Sequence, residues 1–164
     1  MSQSFLIALE RRTPRGWTSI PWVLPLRTRD GRESSFDPHG FYDRTFFYVL
    51  TSIPHRIDPD DCPRPLVEGP RGAPADLSPE LAKAAEEETY LLHWLWASEV
   101  LRYDWDAYER FLVEQHLQFE RRYQARNGRP SPHPGSRQHA WFEVIDVVAA
   151  LEPIEDHRLI LGME

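Results

Sequence analysis

The stretch Tyr90-Leu-Leu-His-Trp-Leu-Trp-Ala-Ser-Glu-Val-Leu-Arg-Tyr-Asp-Trp-Asp106 packs three of the six tryptophans, a histidine and carboxylates of both kinds into one short run. It reads as an apolar segment, then a short helix near Ser98 to Arg102, then Asp104-Trp105 opening a longer helix. A side-chain oxygen at Asp104 can accept a hydrogen bond from the first-turn amides, which have no partner inside the helix. Beyond it Trp105, Tyr108, Phe111, Leu112, Phe119 and Tyr123 recur at three- and four-residue spacing, the mark of one apolar helix face. Asn127-Gly128 supplies the stop.

Working upstream, Ser78-Pro79-Glu80 carries a capping serine, a proline at the first helical position and a carboxylate at the positive end of the dipole, so a helix is expected over 79–88. From Ile53 to Pro79 prolines arrive every few residues, which excludes regular structure and predicts an extended loop wrapped on the domain. Phe41 to Leu50 fits strand or helix by periodicity. Asp43 as a cap favours a short helix. Arg27 to Gly40 reads as an exposed loop. At the start of the chain, Phe5 to Arg12, the turn Thr13-Pro-Arg-Gly16 and Trp17 to Val23 read as strand, turn, strand, with Pro21 ending the second or placing it at an edge.

Working downstream, residues 127–139 form a Pro/Ser/His loop. Trp141 to Leu151 and Arg158 to Met163 read as two strands around Glu152 to Asp156, although Phe142 to Ala150 also fits a helix. Strands at both ends of the chain around central helices predict an α+β fold: a single domain, residues 1–164, with one antiparallel sheet covered on one face by the central helices.

At 164 residues the chain is long enough to bury a core without a covalent staple. Cys62 is alone, so no intramolecular bridge forms, and a reducing, cytoplasmic setting inside a bacterial host cell is the expected one. Phe5 to Leu9 is too short for a signal segment and Glu10-Arg11-Arg12 follows at once, while no run reaches the ~20 apolar residues of a membrane span. A net charge of −7 argues against general nucleic-acid binding. Lys83 is the only lysine, so any cationic site is built from guanidinium forks, which suit carboxylates and phosphates.

His93 with Glu88 or Glu99 is the nearest approach to a metal or general-base set, but no second histidine stands at helical spacing and H-E-x-x-H is absent. No metal and no cofactor are expected. Asp58, Asp60 and Asp61 lack the glycine and final glutamate of a calcium loop and read as turn formers. Trp94, Trp96 and Trp105 are either core or a platform for a ring-bearing ligand. Of these Trp96, taken to point away from Trp94, is the one expected to be exposed. Arg71, carried by a Gly/Pro-rich loop beside a helix start, either binds an anion or pairs with Glu99 or Asp104. Nucleophile and phosphate-loop signatures are absent, and nothing beside Cys62 activates its thiol.

Several segments resemble a family of small, mostly uncharacterised phage and prophage proteins whose members open on G-C-D-I-H and continue with R-N-Y-x-L-F-A, R-G-L-P-x-D-x-S, H-S-x-S-W-L-x-x-x-E and D-W. Arg44-Thr-Phe-Phe-Tyr-Val-Leu50 is similar to the second motif and Arg71 to Ser78 to the third. Trp94-Leu95 with Glu99, and Asp104-Trp105, match the last two in spacing, and Arg158-Leu-Ile-Leu161 is similar to the closing strand. The likeness covers residues 4–106. Ser4-Phe-Leu-Ile-Ala8 replaces the opening motif, and Tyr90 stands where a histidine is usual. The resemblance implies phage origin and no established activity.

Arginines, aromatics and carboxylates without those histidines suit binding better than catalysis. The expected function is that of a phage-type accessory protein that inhibits a host protein, conceivably a defence component, or holds a small anionic ligand. Arg44, Arg71, Asp76, Tyr90, Trp96 and Glu99 are the candidate contact residues, and the loops 53–79 and 127–139 the candidate contact regions. Two alternatives stand beside this. One is an enzyme acting on a phosphorylated or nucleotide-like substrate, with Arg44 and Arg71 clamping the anion and Glu99 or Asp104 as base. The other is an acidic immunity protein that neutralises a toxin.

Overall fold

A computed structural model of the chain describes residues 5–22, 43–88, 91–132 and 140–163. Strand β1 (Phe5–Thr13) turns at Gly16, whose φ of 115° suits glycine, into β2 (Gly16–Ile20), which stops before Pro21. Helix α1 (Arg44–Thr51) starts at Asp43, whose Oδ1 accepts the Phe46 N–H at 2.9 Å, as its sequence predicts. Then come α2 (Pro79–Glu88), β3 (Leu91–Trp96), α3 (Ala97–Arg102), α4 (Trp105–Asn127), α5 (Ala140–Ala149) and β4 (His157–Met163). The α4 helix has both expected ends: Asp104 Oδ1 accepts the Ala107 N–H at 2.9 Å, and Gly128 takes a φ of 67°.

The strands form one antiparallel sheet in the order β2-β1-β4-β3, so the fold is α+β. Three of its strands come from the chain ends, and the opening apolar segment adds the fourth. Two expectations are corrected. Trp141 to Leu151 is not a strand; the helical alternative over Phe142 to Ala150 is the one realised, as α5 over Ala140–Ala149. Its residues are buried on nearly every side, and under those conditions β-branched valines and isoleucine do not reveal a period. Nor is the sheet covered on one face alone. Phe5, Ile7, Leu9, Leu95, Leu159 and Leu161 point into the main core with α1, α3 and α5. Their neighbours Leu6, Ala8 and Ile160 point the other way and meet Leu77, Leu81, Leu92 and Trp94. Burial of each large side chain contributes about 1.5 to 3 kcal/mol.

The proline-rich segment is the connection between these two faces. On the helical face the Leu66 N–H donates to the Val49 carbonyl at 2.7 Å. The Arg71 N–H then donates to His93 Nδ1 on β3 at 2.8 Å, and Leu77 packs on the opposite face. The segment thus passes around β3, which is an edge strand, and shields a side of the sheet open to unwanted pairing. No described helix is long and apolar enough to cross a membrane.

Candidate functional site

The predicted site residues fall into separate groups. Arg71 and Glu99 meet in a two-pronged ion pair, Nη1 to Oε2 at 2.7 Å and Nη2 to Oε1 at 2.6 Å. The backbone N–H of Trp96 adds a third donor to Glu99 at 2.9 Å, closing the first turn of α3. The Arg71 guanidinium also lies 4.9 Å over the Trp94 ring. The hydrogen bond from Arg71, with the Trp96 amide adding to it, holds the Glu99 carboxyl below its ordinary range. Of the two pairings expected for Arg71, Glu99 is the partner; Asp104 caps α4 instead.

Asp76 belongs to a second group, around Arg158. Glu10 and Arg158 are cross-strand neighbours, and Arg158 Nε donates to Glu10 Oε2 at 2.6 Å with both side chains almost wholly buried. Arg158 also reaches Asp76 Oδ1 at 2.8 Å and the Asp76 carbonyl at 3.1 Å, and it stacks 3.9 Å over Trp17. Trp17 Nε1 donates to Asp76 Oδ2 at 2.8 Å, and Glu10 Oε1 accepts the Ser78 N–H at 2.7 Å. The hydrogen bond from Arg158 lowers the Asp76 pKa. The Ser78 hydroxyl, expected to cap α2, is buried without a hydrogen-bond partner, while Glu10 takes up the Ser78 amide at the helix start.

Trp96 is half-buried between Trp17, 5.8 Å away, and Trp94, 5.4 Å away. The expectation that it points away from Trp94 is wrong, because residues two apart on a strand share a face. Arg44 opens α1, and its positive charge, after burial and Arg56, contributes to lowering the His55 pKa. It takes no part in the Arg71 or Arg158 group. Tyr90 lies outside the described residues, as does the 133–139 part of the second candidate loop.

His93 is fully buried on the helical face, with Nδ1 taken by the Arg71 amide and Nε2 without a hydrogen-bond partner. Burial first, then the charge of Arg71, brings its pKa down to about 4, so the ring is neutral. No group of three or more His, Cys, Asp or Glu side chains suited to a metal ion occurs among the described residues. Asp58 accepts the Asp60 N–H at 3.0 Å and opens the short turn Pro59–Asp61, its expected role.

A groove of about 740 Å³ opens beside the Arg71–Glu99 pair, between Pro63 to Leu66 on one side and α3 with the start of α4 on the other. Proline rings, Leu66, Ala107 and Phe111 give it an apolar floor. The Tyr103 hydroxyl donates to the Arg64 carbonyl at 2.7 Å, fixing the loop to α3, and burial first, then Asp104, raises that phenol to about 12. Glu99 is neutralised by Arg71 and Asp104 accepts the Ala107 amide of α4, whereas Arg64 and Arg102 make no ion pair among the described residues. Sequence reading missed this groove and the Glu10–Arg158 pair. Period two along β1 and β4 was the signal for the second, since it places Glu10 with Leu6 and Ala8, and Arg158 with Ile160, on an inward face.

Sheet, strap and groove define a small α+β domain in which Glu10, Arg71, Asp76, Glu99 and Arg158 hold the strap in place. The chain matches no protein-family model, no curated protein and no solved structure.

Proposed function

We propose that the protein works by binding, as a phage-type accessory protein that engages a host protein through the groove between the proline strap and α3–α4. The observation that carries this reading is the dispersal of the candidate residues. Arg71, Glu99 and Asp76 each hold part of the fold, and no convergent acid, base and anion clamp remains among the described residues. Glu99 already accepts three hydrogen bonds and has a lowered pKa, which makes it a poor proton acceptor. The groove offers what a binding surface needs: an apolar aromatic floor and a rim carrying the Arg64 and Arg102 guanidiniums, which make no ion pair among the described residues. Its chemistry fits a partner segment with an apolar side chain beside a carboxylate. The motif resemblance, Arg71 to Ser78 above all, supports the phage setting.

The test is affinity capture from expressing bacteria with the tagged full chain, with mass spectrometry of bound proteins and small molecules. Wild type is compared with Phe111→Glu and Arg102→Glu. The expected result is a host protein retained by wild type and lost with both variants while the circular dichroism stays unchanged. Equal recovery with the variants, or a small molecule alone, overturns the proposal.

A further inference from the structure

Helix α4 outruns the body that anchors it. Tyr108 is buried in the core, Trp105 and Leu112 pack against it, and farther along the helix Val113, Leu117 and Phe119 are 51%, 43% and 53% exposed. At 1.5 Å per residue, Arg126 stands ~21 Å beyond Leu112. Residues 121–129 contain four arginines and no carboxylate, in a chain whose net charge is −7. Arg121, Arg122, Arg126 and Arg129 are all exposed and make no ion pair among the described residues. A single cation in the last turn is accounted for by the helix dipole; the other three are not.

Phe119, Arg122, Tyr123 and Arg126 follow the i, i+3, i+4, i+7 pattern, so two rings and two guanidiniums share one face. The rings lie 6.0 Å apart at 37°, and no other aromatic ring among the described residues covers either of them. Rings at this spacing give base faces a stacking surface, while the flanking guanidiniums reach phosphates. A duplex hides its base faces, so the face suits an unpaired strand. Of the α4 carboxylates, Glu120 is the one beside this face, and it accepts the Ser131 N–H at 3.2 Å; Glu114 and those before it lie ~12 Å or more along the axis from Arg122, beyond the ~8 Å over which charges are screened at physiological salt.

We propose that the outer turns of α4 bind single-stranded nucleic acid through Phe119, Arg122, Tyr123 and Arg126. This interaction surface is separate from the groove. The experiment is fluorescence anisotropy of a labelled oligo(dT) strand with the full chain across a salt series, beside a duplex of equal length and polyglutamate as competitors. Wild type binds the strand in preference to the duplex. Removing one ring, Phe119→Ala or Tyr123→Ala, weakens binding on the order of tenfold. Arg122→Gln with Arg126→Gln flattens the plot of log affinity against log salt by about 1.4. Arg102→Glu, in the groove, changes neither. Absence of binding at low salt overturns the proposal, as does insensitivity to loss of the rings. Displacement by polyglutamate as effective as by unlabelled strand also overturns it, by assigning the face to an acidic protein segment.

Discussion

The backbone N–H of Arg71 donates to Nδ1 of His93 at 2.8 Å, so the strap is fastened to the edge strand by a histidine that must stay neutral to accept that bond. The folded pKa of His93 is about 4 against an ordinary 6.5, so between those values the unfolded chain binds more protons than the folded one. The stabilisation is fully present above about pH 6.5 and is lost as pH falls toward 4, roughly 3 kcal/mol at most. Urea unfolding of wild type is expected to show stability declining from pH 7.5 to 5, and His93→Gln to flatten that decline. A wild-type profile level over this range would sink the assignment.

Glu10 and Arg158 stand opposite one another on neighbouring strands with both charges out of water; Arg158 also pairs with Asp76, and Glu10 also accepts the Ser78 amide. Glu10→Ala leaves the buried Arg158 to the exposed Asp76 and takes the acceptor from the Ser78 amide, so it is expected to cost about 3 to 5 kcal/mol in denaturant unfolding. Glu10→Met with Arg158→Met is expected to recover most of the loss, because two apolar side chains leave no buried charge and Asp76 is free to hydrate. A double variant as unstable as the single one would show that the pair contributes more than mutual neutralisation.

These two contacts also show what a sequence can and cannot disclose. The ends of α1 and α4 were legible because caps act within a few residues, through Asp43, Asp104 and Gly128. The first and last strands were legible from apolar runs and turn chemistry. Helix α5 was legible only as the alternative to a strand over Phe142 to Ala150, since a segment buried nearly all round shows neither period. Glu10 meeting Arg158 across 148 positions, and the strap reaching His93, depend on which strands become neighbours, and no local pattern encodes that. The groove depends on the same tertiary placement. The Arg71–Glu99 pair lay between these cases, with both residues singled out and their pairing one of two alternatives.

The outer turns of α4 gain little from tertiary packing, as the exposure of Val113, Leu117 and Phe119 shows. Most helix stability in proteins comes from such packing. Hydrogen exchange is therefore expected to run faster for amides of residues 118–127 than for those of α5, whose Val144 and Val148 are fully buried. A bound oligonucleotide is expected to slow exchange in the outer turns alone. Uniform protection along α4 in the free protein would contradict the picture of a projecting arm.

Tyr108 gives the least intuitive expectation. Its ring is fully buried among Phe46, Trp105 and Trp141, yet its hydroxyl has no hydrogen-bond partner. Burial, followed by the negative charge of Asp43, drives the phenol far above its ordinary pKa, so the group stays neutral across the accessible range. A buried polar atom without a partner loses its hydration and gains nothing in return, at about 1 to 3 kcal/mol. Tyr108→Phe removes that atom and keeps every ring contact, so it is expected to leave stability unchanged or raise it by about 1 kcal/mol. Tyr108→Ala, which opens a cavity, is expected to cost about 3 to 5 kcal/mol. If the phenylalanine variant were itself destabilised by more than about 1 kcal/mol, the hydroxyl would have to be bonded in solution.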